Sequence, residues 1–517
     1  MCLRFVAGLT HLEHESYQQY FNKQLDLQCK RNTLFGLKTS HLSHFYQNRE
    51  IVSDHISSNT SENYSILLFQ LLYESQSLTS CRLLAQSINN HTLCLDGISL
   101  SLSLFDWLCL SYSIKYSNTT WNHLHLDLGL VSNQSLSVFT AGLTNTNSLK
   151  TQCKSLDVKL SQQNDDFLQN FLQPSLLYNI QECYCELLCG QYVPCLVLLQ
   201  FLNLPQLKIL HLRMDYSTIP TIDIICCTEK CTELEKCIEI NSTLEEMKID
   251  FDKQDKISIV SVIKGVTRNK TIKSLTLKHS ASLPGGLIEQ FLKDNDTLQA
   301  LSVDFLYQFL PSSNIEVNTP LNALEIRHLC DTSSLLQHIK GLDCLILYVP
   351  EVPYPPNAIF LSHPSLHTLT LPLHTAESAI ELFTILQTNT TLKALRVTMY
   401  RFDCTNSVGK SLQEMLTKNQ SLKLFEITDL LTSSFLSSLT KGISHNTSLQ
   451  QLHVSIQFID IAEFFDVISQ KNNLTEFELD VFLTERHYTL LYDKVLPAIT
   501  NMLQSHTAIR LLRIHCG

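Results

Sequence analysis

One nine-residue phrase recurs through the C-terminal part of the chain and restricts the fold more than any other feature. It reads Asn241-Ser242-Thr243-Leu244-Glu245-Glu246-Met247-Lys248-Ile249, and returns at Asn269 to Leu277 and at Asn295 to Val303. Further copies start at Leu392, Leu422, Leu449 and Leu474, and a last copy carries Ile509, Leu512 and Ile514. Weaker copies, without the full Asn-x-Ser/Thr lead, start at Leu207, Leu321, Leu342 and Leu366. Nine steps carry Leu244 to Leu474, 230 residues on, or about 26 residues per step. Alternation in Leu-x-Leu sends both leucines to one face of a short strand, and the leucine three residues earlier enters the same core from the preceding turn. Helical spacing fills the intervals: Ile380, Phe383, Ile385 and Leu386 precede Asn389, and Leu412, Met415 and Leu416 precede Asn419. One such unit cannot bury its own apolar edge, whereas stacked units can.

The expected fold is therefore α/β: a leucine-rich-repeat solenoid of the ribonuclease-inhibitor-like horseshoe kind, with a parallel sheet on the concave side and helices outside. A small α-helical domain is expected ahead of it. The divisions read from the sequence are a helical domain over 1–95, irregular repeats over 96–206 and regular repeats over 207–517. In the first part, Tyr64 to Glu74 and Cys81 to Ile88 are apolar at helical spacing. From Leu93 onward Leu-x-Leu alternation begins, as in Leu100-Ser101-Leu102-Ser103-Leu104 and Leu124-His125-Leu126-Asp127-Leu128.

Composition excludes several function classes. Of 517 residues, 44% are hydrophobic and 17% charged, which fits a folded chain rather than a disordered one. The net charge of −11 comes without any basic block, so nucleic-acid binding is not expected. No apolar run is long enough to cross a bilayer, and the N-terminal apolar stretch breaks at His11 and Glu13, short of a signal peptide. The chain reads as cytoplasmic, with its 18 cysteines reduced and free.

Local signatures of catalysis and cofactor binding are weak. Gly409-Lys410-Ser411 resembles the end of a phosphate-binding loop, but Cys404 stands where that loop needs glycine. Eight cysteines from Cys183 to Cys237 lack C-x-x-C spacing and read as buried thiols. His211, His367 and His453 sit singly beside the repeat phrase. No enzyme activity, cofactor or metal is expected. Several repeat asparagines satisfy the glycosylation pattern, among them Asn241, Asn269, Asn295, Asn389, Asn419, Asn446 and Asn473. Their fixed offset before each strand reads as turn chemistry. Pro350, Pro353, Pro355 and Pro356 break one repeat and exclude a helix there.

The outward positions nominate a partner face. The residue after the second leucine runs Arg213, Asp250, Lys278, Asp304, Arg327, a ladder of alternating sign that neutralises itself. Further on, the outward positions are expected to carry unpaired charges beside an exposed aromatic. A protein-binding concave face is therefore placed at Tyr348, Arg396, Glu426, His453 and Glu478, to take a protein or microbial ligand.

Four phrases, in order, carry a resemblance to a known family. Leu3-Arg4-Phe5-Val6-Ala7-Gly8-Leu9 resembles the FxxGL phrase in the helical domain of NACHT-LRR proteins, the NOD-like receptors. Leu68 to Glu74, with Leu72-Tyr73-Glu74, resembles their LYE helix. Phe105 to Ile114, then Trp121 to Leu126, is similar to their entry into the repeats. The resemblance implies the C-terminal part of an innate immune receptor, the helical domain plus repeats, that senses a ligand or restrains a signalling module. The family's nucleotide-binding module is absent from this sequence. Two other readings stand beside it: a free-standing repeat scaffold or inhibitor, and a secreted repeat receptor.

Overall fold

The computed structural model describes residues 69–81, 92–96, 102–116, 121–128, 131–144, 153–160, 179–188, 194–215, 228–251, 256–278, 283–284, 286–306, 320–329, 339–348, 360–399, 406–431, 433–457, 462–482, 496–506 and 508–516. The phrase at Phe5 to Leu9, most of the expected helical domain and the proline run from Pro350 to Pro356 lie outside them. The chain forms two compact units, residues 1–272 with 276–279, and residues 273–275 with 280–517.

The first unit holds β1 (Thr92–Asp96), β2 (Trp121–Leu128), β3 (Cys153–Leu160), β4 (Glu182–Leu188), β5 (Ile209–Asp215) and β6 (Glu246–Phe251). These strands pair in chain order, and every pairing is parallel. Strand β7 (Ser274–Lys278) falls at the division. The second unit holds β8 (Ala300–Leu306), β9 (Ala323–Leu329), β10 (Cys344–Leu347), β11 (Thr368–Leu373), β12 (Ala394–Met399), β13 (Leu424–Leu431), β14 (Gln451–Gln457), β15 (Glu476–Phe482) and β16 (Leu511–Cys516). They too are parallel and in chain order. Parallel neighbours require a crossover, and helices such as Ala376–Leu386, Asn406–Lys418 and Ser433–His445 supply it. The architecture is thus α/β with an open parallel sheet, consistent with a solenoid-like repeat.

Alternation decides which side of each strand is covered. In β12, Leu395, Val397 and Met399 are buried while Ala394, Arg396 and Thr398 are only partly so. The leucine that precedes the strand, Leu392, is buried as well. Each fully buried leucine contributes about 1.5–3 kcal/mol, so the phrase itself is the main stabilising element. Helices close the core with Leu382, Phe383, Leu412 and Met415. Successive helices approach closely at glycines. A Cβ at Gly442 would stand 2.9 Å from the Leu416 Cβ, and one at Gly409 would stand 2.8 Å from the Ser438 Oγ. Gly409-Lys410-Ser411 is therefore packing: it lies within a helix, and the Ser411 hydroxyl donates to the Ile380 carbonyl at 3.3 Å.

The asparagine of the phrase has a structural duty. Asn446 is 1% exposed. Its Nδ2 donates to the Leu416 carbonyl at 2.8 Å and the Asn419 carbonyl at 2.9 Å, both in the preceding repeat. Its Oδ1 accepts from the amides of Ser448 at 3.0 Å and Leu449 at 2.8 Å. Asn419 does the same for Leu386, Asn389, Ser421 and Leu422, and Asn269 for Ile238, Asn241, Thr271 and Ile272. The Ser or Thr two places on adds a further tie, as when the Ser448 hydroxyl donates to the Leu422 carbonyl at 2.8 Å. In two copies a histidine stands in the asparagine's place. His506 Nδ1 accepts from the amides of Ala508 and Ile509, and His363 Nε2 bonds the Ile339 carbonyl. The expected turn role of the sequon asparagines holds, since Asn269, Asn295, Asn419 and Asn446 are all buried.

Two expectations need correction. The alternation that starts at Leu93 forms β1, but Leu102 and Ser103 belong to no strand and a helix begins at Leu104; Leu100 and Ser101 lie outside the described residues. Ser103 caps that helix, its hydroxyl accepting from the Asp106 amide at 3.3 Å while the Ser103 amide donates to the Asp106 carboxylate at 2.9 Å. This reciprocal cap outweighs the short period-two pattern. The cysteines are not all free thiols. Cys81, Cys109, Cys183, Cys185, Cys231, Cys237 and Cys344 are, whereas Cys195 is disulfide-bonded.

Candidate functional site

The uncovered face of the second unit carries the predicted residues. Register places Arg396 on β12 beside Glu426 on β13, Glu426 beside His453 on β14, His453 beside Glu478 on β15, and Glu478 beside Arg513 on β16. Four of the five nominated residues thus form one continuous row, because the phrase puts each at the x of Leu-x-Leu. Tyr348 stands apart. It follows the end of β10, is 46% exposed, and lies under the Arg327 guanidinium, 5.3 Å from its ring centroid.

The charges in the row are not unpaired, contrary to the sequence expectation. Arg396 Nε donates to Glu426 Oε2 at 3.0 Å. His453 stands between two carboxylates, with Nδ1 3.3 Å from Glu426 Oε1 and Nε2 2.8 Å from Asp480 Oδ2. The Ser455 hydroxyl donates to the same Asp480 oxygen at 2.8 Å, and Arg513 Nη1 lies 3.4 Å from Glu478 Oε2. The reason is geometric: parallel neighbours about 4.8 Å apart bring long side chains into reach along the row and diagonally across it. Arg396, His453 and Arg513 offset Glu426, Glu478 and Asp480, so the cluster is near neutral when His453 is protonated.

Electrostatics keeps it protonated. Burial disfavours the imidazolium, but hydrogen bonds to Asp480 and Glu426, and the charges of both, overcome this and raise its pKa to about 10. Burial likewise pushes the Glu426 carboxyl up, yet His453 and Arg396 hold it below its ordinary value. The row walls an open depression of about 180 Å³ whose lining includes Leu452 and Phe477.

The ladder expected at Arg213, Asp250, Lys278, Asp304 and Arg327 forms in its parts. Arg213 Nε is 4.0 Å from Asp250 Oδ2, Lys278 Nζ is 3.9 Å from the same oxygen, and Arg327 Nε is 3.3 Å from Asp304 Oδ1. Glu186 on β4 also reaches Arg213, at 3.5 Å. Sequence reasoning did not nominate Asp480, Ser455 or Arg513. Asp480 occupies the second outward position of β15, two residues after Glu478 and level with Ser455 on β14.

No family model matches the sequence, and no curated protein matches it. Among solved structures, the chain is similar to leiomodin-1 actin-binding site 2, at 12% identity over 30% of this chain and 92% of that one, with a TM-score of 0.22. At that score the likeness carries no argument about fold or function.

Proposed function

We propose that this chain is a leucine-rich-repeat protein whose uncovered sheet face binds a protein partner. The observation that supports it is the row Arg396–Glu426–His453–Glu478. Its side chains are held in fixed positions by register and by one another, within electrostatic reach of the aromatic Tyr348. Prearranged polar groups lower the ordering cost of association, and an exposed aromatic adds contact area. The row is chemically suited to recognition rather than turnover, because each of its ionisable groups is engaged with another.

By the phrases quoted above, the chain reads as the ligand-sensing or autoregulatory repeat region of a NOD-like-receptor-type protein of innate immunity, acting in the cytoplasm. Those phrases support the family. A secreted repeat receptor is the second reading, and the disulfide at Cys195 favours it, because such bonds persist in oxidising compartments. Among the described residues no helix is long and apolar enough to cross a membrane.

The test places a photo-crosslinking amino acid at position 348 and, as a control, at Glu414 on a helix. Adducts to a discrete protein from position 348 alone support the reading. Equal or stronger adducts from position 414, or none from either site, overturn it.

A further inference from the structure

The row contains a second arrangement that the binding reading does not use. One ring nitrogen of His453, a carboxylate oxygen of Glu478 and a carboxylate oxygen of Asp480 all lie within 4.8 Å of one another. Two neighbouring strands supply them: Glu478 is the register partner of His453, and Asp480 is two residues further along β15. Strand alternation puts residues two apart on one face, so both carboxylates rise on the side of the imidazole. A separate observation concerns the opposite edge of the ring. There Nδ1 lies 3.3 Å from Glu426 Oε1, so an outer carboxylate fixes the imidazole and orients its Nε2 edge toward Asp480. Metal-bound histidines are commonly held this way, by a carboxylate on the nitrogen that does not ligate.

We propose that His453, Glu478 and Asp480 form a site for one divalent first-row transition ion, with Glu426 as the outer carboxylate. One imidazole and two carboxylates are a mixed nitrogen–oxygen set, which suits Zn²⁺ or Mn²⁺ better than Ca²⁺ or Mg²⁺, whose ligands are oxygens. In the structure a proton bridges His453 Nε2 and Asp480 Oδ2. On binding, the N–H bond breaks, its electron pair goes to the ion and the proton leaves to solvent. The ion stands in the proton's place between the same two groups. Arg513, at 3.4 Å from Glu478 Oε2, is a loose contact that can shift outward. The site needs no protein partner, so its failure leaves the partner-binding reading intact.

Mn²⁺ alone is the probe, because thiolates compete for Zn²⁺ and the chain has 18 cysteines. The full chain is titrated while free Mn²⁺ is followed by electron paramagnetic resonance. The expected result is one saturable site, weakening as pH falls because protons compete for His453. His453→Ala and Asp480→Asn each lower its affinity at least about tenfold, and Glu426→Gln lowers it about tenfold through the ring's orientation. Glu414→Gln, on a helix, leaves it unchanged. Circular dichroism checks each variant, and Glu478→Gln, at a partly exposed side chain, serves if His453→Ala does not fold. No saturable site in the wild type, or one indifferent to His453, Asp480 and Glu478, overturns the proposal.

Discussion

Two polar rows run across the strands of the second unit, and they are opposites. The asparagine row, Asn389, Asn419 and Asn446, is largely buried at the turns, and its partners are backbone groups of the preceding repeat. The charged row, Arg396, Glu426, His453 and Glu478, is half-buried on the uncovered face, and its partners are other side chains. Both recur at the repeat period, so periodicity alone does not separate them. What separates them is the cost of losing a member. An orphaned backbone group inside the turn has no water to turn to, whereas a charge on the open face does.

The sharpest way to break that contrast is Asn446→Ala. It strands the carbonyls of Leu416 and Asn419 and the amides of Ser448 and Leu449. A loss of about 2–4 kcal/mol is expected, read as faster hydrogen exchange at the Ser448 and Leu449 amides. Unchanged protection would mean that the turns hold without their asparagines. Glu426→Gln comes next. It removes the charge that Arg396 and His453 share and should cost about 1 kcal/mol after allowance for solvent screening, measured by chemical denaturation. A cost equal to that of Asn446→Ala would erase the distinction between the rows.

The charged row should also respond to pH, with a definite sign. The His453 pKa is raised in the folded chain to about 10, so its stabilising effect is complete below the ordinary value of 6.5 and is lost as pH rises toward 10. The stability gap between the wild type and His453→Gln should therefore shrink across that window. Glu426 acts in the other direction: its pKa is lowered, so its contribution is present above 4.5 and is lost as pH falls through the folded value. A gap that widens with alkali would show that His453 is not held as the cation. The smallest effect is expected in the first unit, at Arg213→Ala. Arg213 is 3.5 Å from Glu186 and 4.0 Å from Asp250 and is itself well exposed, so denaturation should register a change of about 0.5 kcal/mol or less.

The repeat was legible in the sequence because its period and its alternation are both properties of local spacing. Strands β5 to β16 fall where the Leu-x-Leu phrases place them. The first unit was less legible. Its β1, where the alternation starts at Leu93, overlaps the end of the stretch read as helical, and Ser103 with Asp106 starts a helix where leucine alternation suggested a strand. Four residues of the binding row were legible because one outward position per repeat is a simple count. Their mutual pairing was not, since it depends on side-chain reach between positions about 26 residues apart. The grouping of His453 with Glu478 and Asp480 was invisible for the same reason: no compact motif spans two strands of a repeat array.

The buried asparagines carry one more implication, for biosynthesis. Asn269, Asn295, Asn419 and Asn446 each head an Asn-x-Ser/Thr acceptor sequence, and each is also the residue around which its turn closes. Oligosaccharide transfer needs such an asparagine extended and accessible, while the turn needs its amide nitrogen pointed inward at the preceding repeat. The two fates are mutually exclusive at each site. In a compartment with the transferase, folding and modification would race for every repeat as it emerged, and one lost race would leave a sugar where a carbonyl must dock. In a compartment without it, the race does not exist. The repeat chemistry that stacks these units therefore also couples this chain's folding yield to the place where it is made.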